Sequence, residues 1–351
     1  MRSEPELSTD RPDAIHPGDE PCRQVWSPPG FPRPQRSPGK RILGGRFLFE
    51  SNSRELIRLI EAAYGNLPPQ AFPDATAEFH VALQLLPRCT EFPGSEPPAP
   101  RISMDPEKVC AIVDDSNYAV IEPARHRARI VASVDMLRHA YHLRYELIEF
   151  AVFILATRGI GLVPLHAACI GRQGRGVLLL GASGAGKSML ALHCLQQGLE
   201  LLAEDAVFVR PGDLLATGVP NYLHVRADGL DFLEDAAARS RISRAPVIRR
   251  RSGVEKFEID LRKESGRLAA SPFQLAGAVF VSPLTADATD SLLEPLQTCE
   301  VSALLTASQS HAPSQPGWCR FSQQLMGRSN YRLRRARHPS EAVAALRRLL
   351  D

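Results

Sequence analysis

The sequence predicts an α/β protein: a phosphate-loop nucleotide-binding core preceded by a smaller N-terminal α/β domain. Three observations predict it. The run Gly181, Ala182, Ser183, Gly184, Ala185, Gly186, Lys187 and Ser188 fits G-x-x-x-x-G-K-[ST] without mismatch. Residues 176–180 before it form a short apolar run that reads as a buried strand, and residues 189–195 after it read as a helix stopping at Gly198. Upstream, strand-like and helix-like patterns mix from about Arg41 onward.

Taken in order, residues 1–40 hold nine of the 29 prolines and little periodic apolar pattern, which predicts a disordered tail. Residues 47–49 read as a first strand. Ser53 then caps a helix over 54–64, closed by Gly65. Strands follow at about 78–86, 118–122 and 129–132, with a proline-rich surface loop over 87–106. A helix over roughly 136–157 ends at Gly159 and leads from the N-terminal domain (41–157) into the core (158–351). There, residues 163–170 and 176–180 read as two strands of a hairpin around the turn 171–174. Further strands are expected at 199–203, 206–209, 256–261, 277–281 and 331–335, and a last helix, capped by Ser340, at 341–350.

Composition narrows the function classes. A formal net charge of +3 is too small to argue for nucleic acid, and no nucleic-acid-binding motif is present. The most apolar region, 148–170, is broken by Glu149, Arg158, Gly159, Gly161 and Pro164, so no membrane span is expected. Seven widely spaced cysteines without a C-x-x-C pair suit reduced thiols, and residues 1–20 do not resemble a secretory signal. The expected location is the cytoplasm.

The chemistry gathers around the glycine-rich run. A strand, a tight turn and a helix N-terminus aim backbone N–H groups and a positive dipole end at one point, which suits phosphate. Lys187 is expected to reach the β- and γ-phosphates of ATP, and the Ser188 hydroxyl to ligate Mg²⁺. His166 lies fifteen residues before Gly181, and Glu204 and Asp205 lie seventeen and eighteen residues after Lys187. A carboxylate there can approach Mg²⁺ while its neighbour acts as a base. A lone histidine on an apolar strand is ordinarily a core residue; its place beside a phosphate loop makes His166 a candidate. The arginines at 239, 241, 244 and 249–251 read either as a solvated loop or as a clamp for phosphate or an acidic peptide.

These residues (Leu165-His166-Ala-Ala, the run 181–188, Gly198 and Leu201-Leu-Ala-Glu-Asp205) resemble the catalytic core of bacterial HPr kinase/phosphorylase and its HPr-kinase-related relatives. The close resemblance covers 163–209, and a weaker one covers 45–157 and 256–282. It implies an ATP- and Mg²⁺-dependent kinase for a serine on a protein or peptide, and leaves open whether the phosphate is also removed by phosphorolysis. Carried over by position, it makes Glu204 the base, Asp205 the second, metal-side acid and His166 a support for the γ-phosphate, with Lys187 and Ser188 in the loop's usual roles. Two positions depart from the family pattern. Glu204 stands where the family has aspartate, and Met189 where it has glutamate. Two other readings stand beside the kinase: a nucleotide-binding regulatory or accessory module with weakened catalysis, and a kinase for a small hydroxyl-bearing metabolite. A homo-oligomer is compatible with each.

Overall fold

The computed structural model describes residues 35–87, 92, 94–264, 266–286, 292–309 and 314–351, and it shows a mixed α/β protein with three sheets. The first sheet holds Gln35–Arg36 (β1), Lys40–Ile42 (β2), Gly45–Ser51 (β3), Glu78–Leu86 (β4), Arg101–Met104 (β5), Val109–Asp114 (β6), Asn117–Glu122 (β7) and Arg127–Ser133 (β8). Their order is β1-β3-β4-β8-β7-β6-β5, with β2 also on β3. Most of the expected disordered tail lies outside the described residues. Its last stretch does not fit that expectation: Gln35 and Arg36 pair with Ser51 and Glu50, and the Lys40 ammonium donates to Glu61 at 2.6 Å. Strands β5 and β6 also went unseen in the sequence, β5 inside the expected proline-rich loop. All four β5 side chains are exposed, so its sequence carries no burial pattern to detect.

Helix Arg54–Tyr64 (α1) forms as its sequence dictates, the Ser53 side chain accepting from the N–H groups of Glu55 and Leu56. The second helical stretch (α2) covers 140–160 after a 3₁₀ turn. It is wider than an α-helix at Leu143–Glu149 and Leu155–Ile160. It ends at Gly161, whose φ of 81° is left-handed, rather than at the expected Gly159. Leu147, Ala151 and Leu155 of α2 join Phe47, Phe49 and Phe79 of the sheet in one core.

The largest sheet comprises Val163–Leu165 (β9), Ala168–Arg172 (β10), Arg175–Leu180 (β11), Glu200–Ala203 (β12), Val207–Arg210 (β13), Leu215–Gly218 (β14), Arg267–Leu268 (β18), Phe273–Thr285 (β19), Leu293–Pro295 (β20) and Tyr331–Arg335 (β21). Strands β10 and β11 form the expected hairpin, and its two turn residues, Gln173 and Gly174, both have positive φ. Strand β11 is central. Val177 and Leu179 face a core shared with helices Lys187–Gln196 (α3) and Pro339–Leu350 (α7). Leu178 and Leu180 face another, shared with Thr298–Ser308 (α5) and Trp318–Met326 (α6). Burial on both faces is why this strand reads as an unbroken apolar run. A third sheet, Tyr222–Val225 (β15), Val247–Arg249 (β16) and Glu255–Asp260 (β17), has the order β15-β17-β16.

The N-terminal part is bound to the rest through buried polar groups. The Gln70 side chain donates to Ala269 O at 2.7 Å, its backbone carbonyl accepts from the Thr217 hydroxyl at 2.6 Å, and Asn221 donates to Ala63 O. Arg144 on α2 reaches across to Glu258 on β17 and lies over the Tyr222 ring. Its guanidinium must serve two carboxylates, because Glu149 sits 3.7 Å away on the other side. Burial, which Arg144 and His224 offset only in part, pushes the Glu149 carboxyl up from its ordinary 4.5 to about 7.

A folded-state pKa above the unfolded one means that the native protein holds more protons between those values. Stability therefore falls as pH rises through that window. The drop should be on the order of 3 kcal/mol. Glu149→Gln cannot ionise, so denaturation curves across pH 4.5–7.5 should show the variant losing this decline. Parallel pH profiles would contradict the assignment.

Candidate active site

Strand 163–172 and strand 200–210 run antiparallel, and both break at the same level. Cys169 pairs with Ala203 on one side of the break, and Leu165 with Val207 on the other. His166, Glu204 and Asp205 occupy the break. The strand expected over 163–170 is thus two strands, because a polar, half-exposed histidine interrupts an otherwise buried run. Its released backbone is satisfied from far along the chain: the His166 N–H donates to Gln309 Oε1 at 2.9 Å, and Gln309 Nε2 donates to His166 O at 3.1 Å. Gln309 is itself buried, so one amide side chain takes the place of a strand partner.

The glycine-rich run leaves the end of β11 and turns into α3, which begins at Lys187. Gly184 and Gly186 adopt φ of 81° and 96°, and Gly186 is the helix N-cap. A side chain at either would be strained, so both turns favour glycine. Lys187 is buried, and its ammonium donates back to the carbonyls of Gly181 at 2.8 Å and Ala182 at 3.1 Å. Burial lowers its pKa, against the pull of Asp205 and Glu204.

The two acids separate sharply. Glu204 is buried and accepts the Ser188 hydroxyl hydrogen through Oε1. Its Oε2 is also buried, has no hydrogen-bond partner, and lies 3.6 Å from His224 Nδ1. Asp205 is 42% exposed and sits 3.5 Å from His166 Nε2 and 3.1 Å from an Arg250 terminal nitrogen. Burial works against the Asp205 carboxylate, but Arg250 and His166 outweigh it and hold its pKa below the usual range. His166 is kept below the ordinary histidine range by burial first, with Lys187 and Lys256 adding to it against Asp205. Glu204 thus lies beside Ser188, and Asp205 beside His166.

Behind Glu204, His224 on β15 contacts Tyr145 Oη at 2.9 Å and Glu258 Oε1 at 3.3 Å. Burial disfavours its imidazolium, but contacts with Glu204 and Glu258 raise its pKa nonetheless. No sequence signal marked His224, Glu258, Tyr145 or Gln309, because each is placed by tertiary contacts. Arg250 lay within the arginine run but could not be told from its neighbours. Arg251, next to it, instead binds Glu146 and the carbonyls of Pro97 and Pro98. Met189 packs against residue 229 at the edge of the core around α3.

Two side chains could contribute oxygens to a Mg²⁺ ion here, Ser188 and Glu204. Among the described residues no group of three or more His, Cys, Asp or Glu side chains is arranged to hold a metal. A phosphate-loop Mg²⁺ needs few protein ligands, since phosphate oxygens and water supply the rest. The Glu204 carboxylate, whose Oε1 accepts from Ser188, offers a hard oxygen of the required kind.

Part of this chain is similar in sequence to HPr kinase/phosphorylases. It is 46% identical over 83 residues to the HPr kinase/phosphorylase of Burkholderia lata, covering 22% of this chain and 24% of that protein. To the HPr kinase/phosphorylase of Cupriavidus necator it is 33% identical over 112 residues, covering 28% and 35%. The matches thus span about a quarter to a third of those relatives' length. The solved HPr(Ser) kinase/phosphatase from Coxiella burnetii aligns with 53% of this chain and 96% of its own, at 14% identity and a TM-score of 0.29, so the relationship rests on the sequence matches. No family model matches the chain. Among the described residues no helix is long and apolar enough to cross a membrane.

Proposed function

We propose that this chain is an ATP- and Mg²⁺-dependent kinase that phosphorylates a serine hydroxyl on a protein or peptide. The observation that carries the reading is the convergence of the loop at 181–188, the buried Glu204 on Ser188, and the half-exposed Asp205 held by His166 and Arg250. The loop's N–H groups and Lys187 bind the ATP phosphates. Ser188 and Glu204 would hold Mg²⁺, which would supply charge neutralisation to the nucleotide phosphates when bound. Asp205 is the base. It takes the proton from the serine hydroxyl, whose oxygen bonds to the γ-phosphorus while the bond to the β–γ bridging oxygen breaks and ADP leaves. The Arg250 guanidinium and His166 beside Asp205 favour its carboxylate form, which is the form that can take the proton. His166 and Arg250 orient Asp205 and face the transferred phosphoryl group.

This assignment reverses the roles first expected of Glu204 and Asp205, and it accounts for the extra methylene of Glu204. A longer side chain lets a residue fixed behind the break reach Ser188. HPr, named for the relatives, is one acceptor to test alongside serine peptides. The reading is tested by incubating the protein with γ-labelled ATP, Mg²⁺ and each acceptor, and locating the label on serine.

A further inference from the structure

The small sheet ends in a strand with a free side. Pro246 O accepts from Glu258 N and Arg250 N donates to Val254 O, with Ile248 opposite Lys256 between them. Residues 246, 248 and 250 therefore spend their backbone groups on β17. The N–H and C=O groups of Val247 and Arg249 point the other way, where no strand pairs with them among the described residues. Val247 is 56% exposed. Such an edge is a template for another strand.

Position and charge say which strand. Arg250, which ends this edge, is the residue that holds Asp205. The face carrying Ile248 and Arg250 also carries Lys256, whose charge is felt by His166 and Lys187, so that face looks onto the site. Residues 244–258 hold five cations (Arg244, Arg249, Arg250, Arg251 and Lys256) against two carboxylates, Glu255 and Glu258. Glu258 is already engaged by Arg144, and Arg244 and Arg249 make no ion pair among the described residues. The hairpin is also held in place, since Arg251 ties its turn to Glu146 and the Pro97 and Pro98 carbonyls. A second copy of the chain pairing here would set two positive edges against each other, which disfavours it.

We propose that the free edge of β16 is the docking strand for the acceptor: an acidic, extended peptide segment adds to it as a fourth strand of the small sheet and so brings its serine to Asp205. Alternate side chains of the added strand lie on the face that carries Arg250 and Lys256, and one strand spacing separates its backbone from β16, about 4.8 Å. The proposal rests on the kinase reading, but it can fail separately.

The test uses the full chain and a fluorescein-labelled peptide of alternating glutamate and valine around one serine, read by anisotropy. Val247→Pro deletes an outward N–H at an edge position that tolerates proline. Arg249→Glu reverses an exposed charge. Each should weaken peptide binding by about tenfold, while melting temperature and MgATP affinity stay at wild-type values. A peptide N-methylated at alternate amides should bind equally poorly to the wild type. Unchanged affinity in both variants, full binding of the methylated peptide, or no binding by the wild type would each overturn the proposal. Dimerisation lost in Val247→Pro would overturn it too, by giving the edge to a second copy. If the wild type binds through this edge yet labels no serine, docking stands and the kinase reading fails. If both variants label the peptide with an unchanged KM, the kinase reading stands and docking fails.

Discussion

Lys187→Ala should cost phosphoryl transfer about 2.7–4 kcal/mol, or roughly 10²–10³ in rate. Lys187 is the buried cation at the mouth of the loop, resting on the Gly181 and Ala182 carbonyls from where it can swing to the phosphates. Alanine leaves the helix intact, since it is the best helix former, so the loss is specific to charge. Titration with a non-hydrolysable ATP analogue and Mg²⁺ should show weakened binding, and turnover should fall with it. Equal affinity and equal turnover in variant and wild type would remove the phosphate-binding role of residues 181–188.

The second large effect separates the two acids. Asp205→Asn keeps size and hydrogen bonding but cannot take a proton, so transfer should fall by about 10²–10⁴ while MgATP binds almost normally. Glu204→Gln should act at the other step. With a neutral amide against Ser188, Mg²⁺ loses its carboxylate, and Mg²⁺-dependent nucleotide affinity should drop while Mg²⁺-independent affinity holds. The pH profile carries a sign as well. Asp205 has a lowered pKa because Arg250 and His166 outweigh its burial, so its base form persists as pH falls through the ordinary carboxylate range. Arg250→Ala removes the nearer support and should move the acid limb of the rate profile to higher pH. A profile that does not move would separate Arg250 from the base.

Much of this arrangement is legible from local signals. The loop, its strand and its helix follow from glycine placement and apolar runs, and α1 follows from Ser53 and a helical stripe. The cluster of His166, Glu204 and Asp205 also follows from spacing, because all three lie within a few residues of strands that pair. What spacing could not supply is which carboxylate faces which way. That depends on a shared break in two strands, on Gln309 gripping His166 from 143 residues away, and on β15–β17 closing over Glu204. The small sheet itself escaped notice in part because β15 and β16 are only four and three residues long. Interactions of such sequence separation leave no periodic trace.

The central claim, that Asp205 activates a serine for phosphorylation from ATP held by the loop, is tested most directly by one paired assay. Wild type and Asp205→Asn are given γ-labelled ATP and Mg²⁺ with HPr and a pool of acidic serine peptides, and the label on serine is followed in time. The expected result is serine labelling by the wild type, slowed by about 10²–10⁴ in Asp205→Asn at unchanged MgATP affinity. A wild type that binds MgATP tightly yet labels no serine, or an Asp205→Asn variant that labels as fast as the wild type, would contradict it.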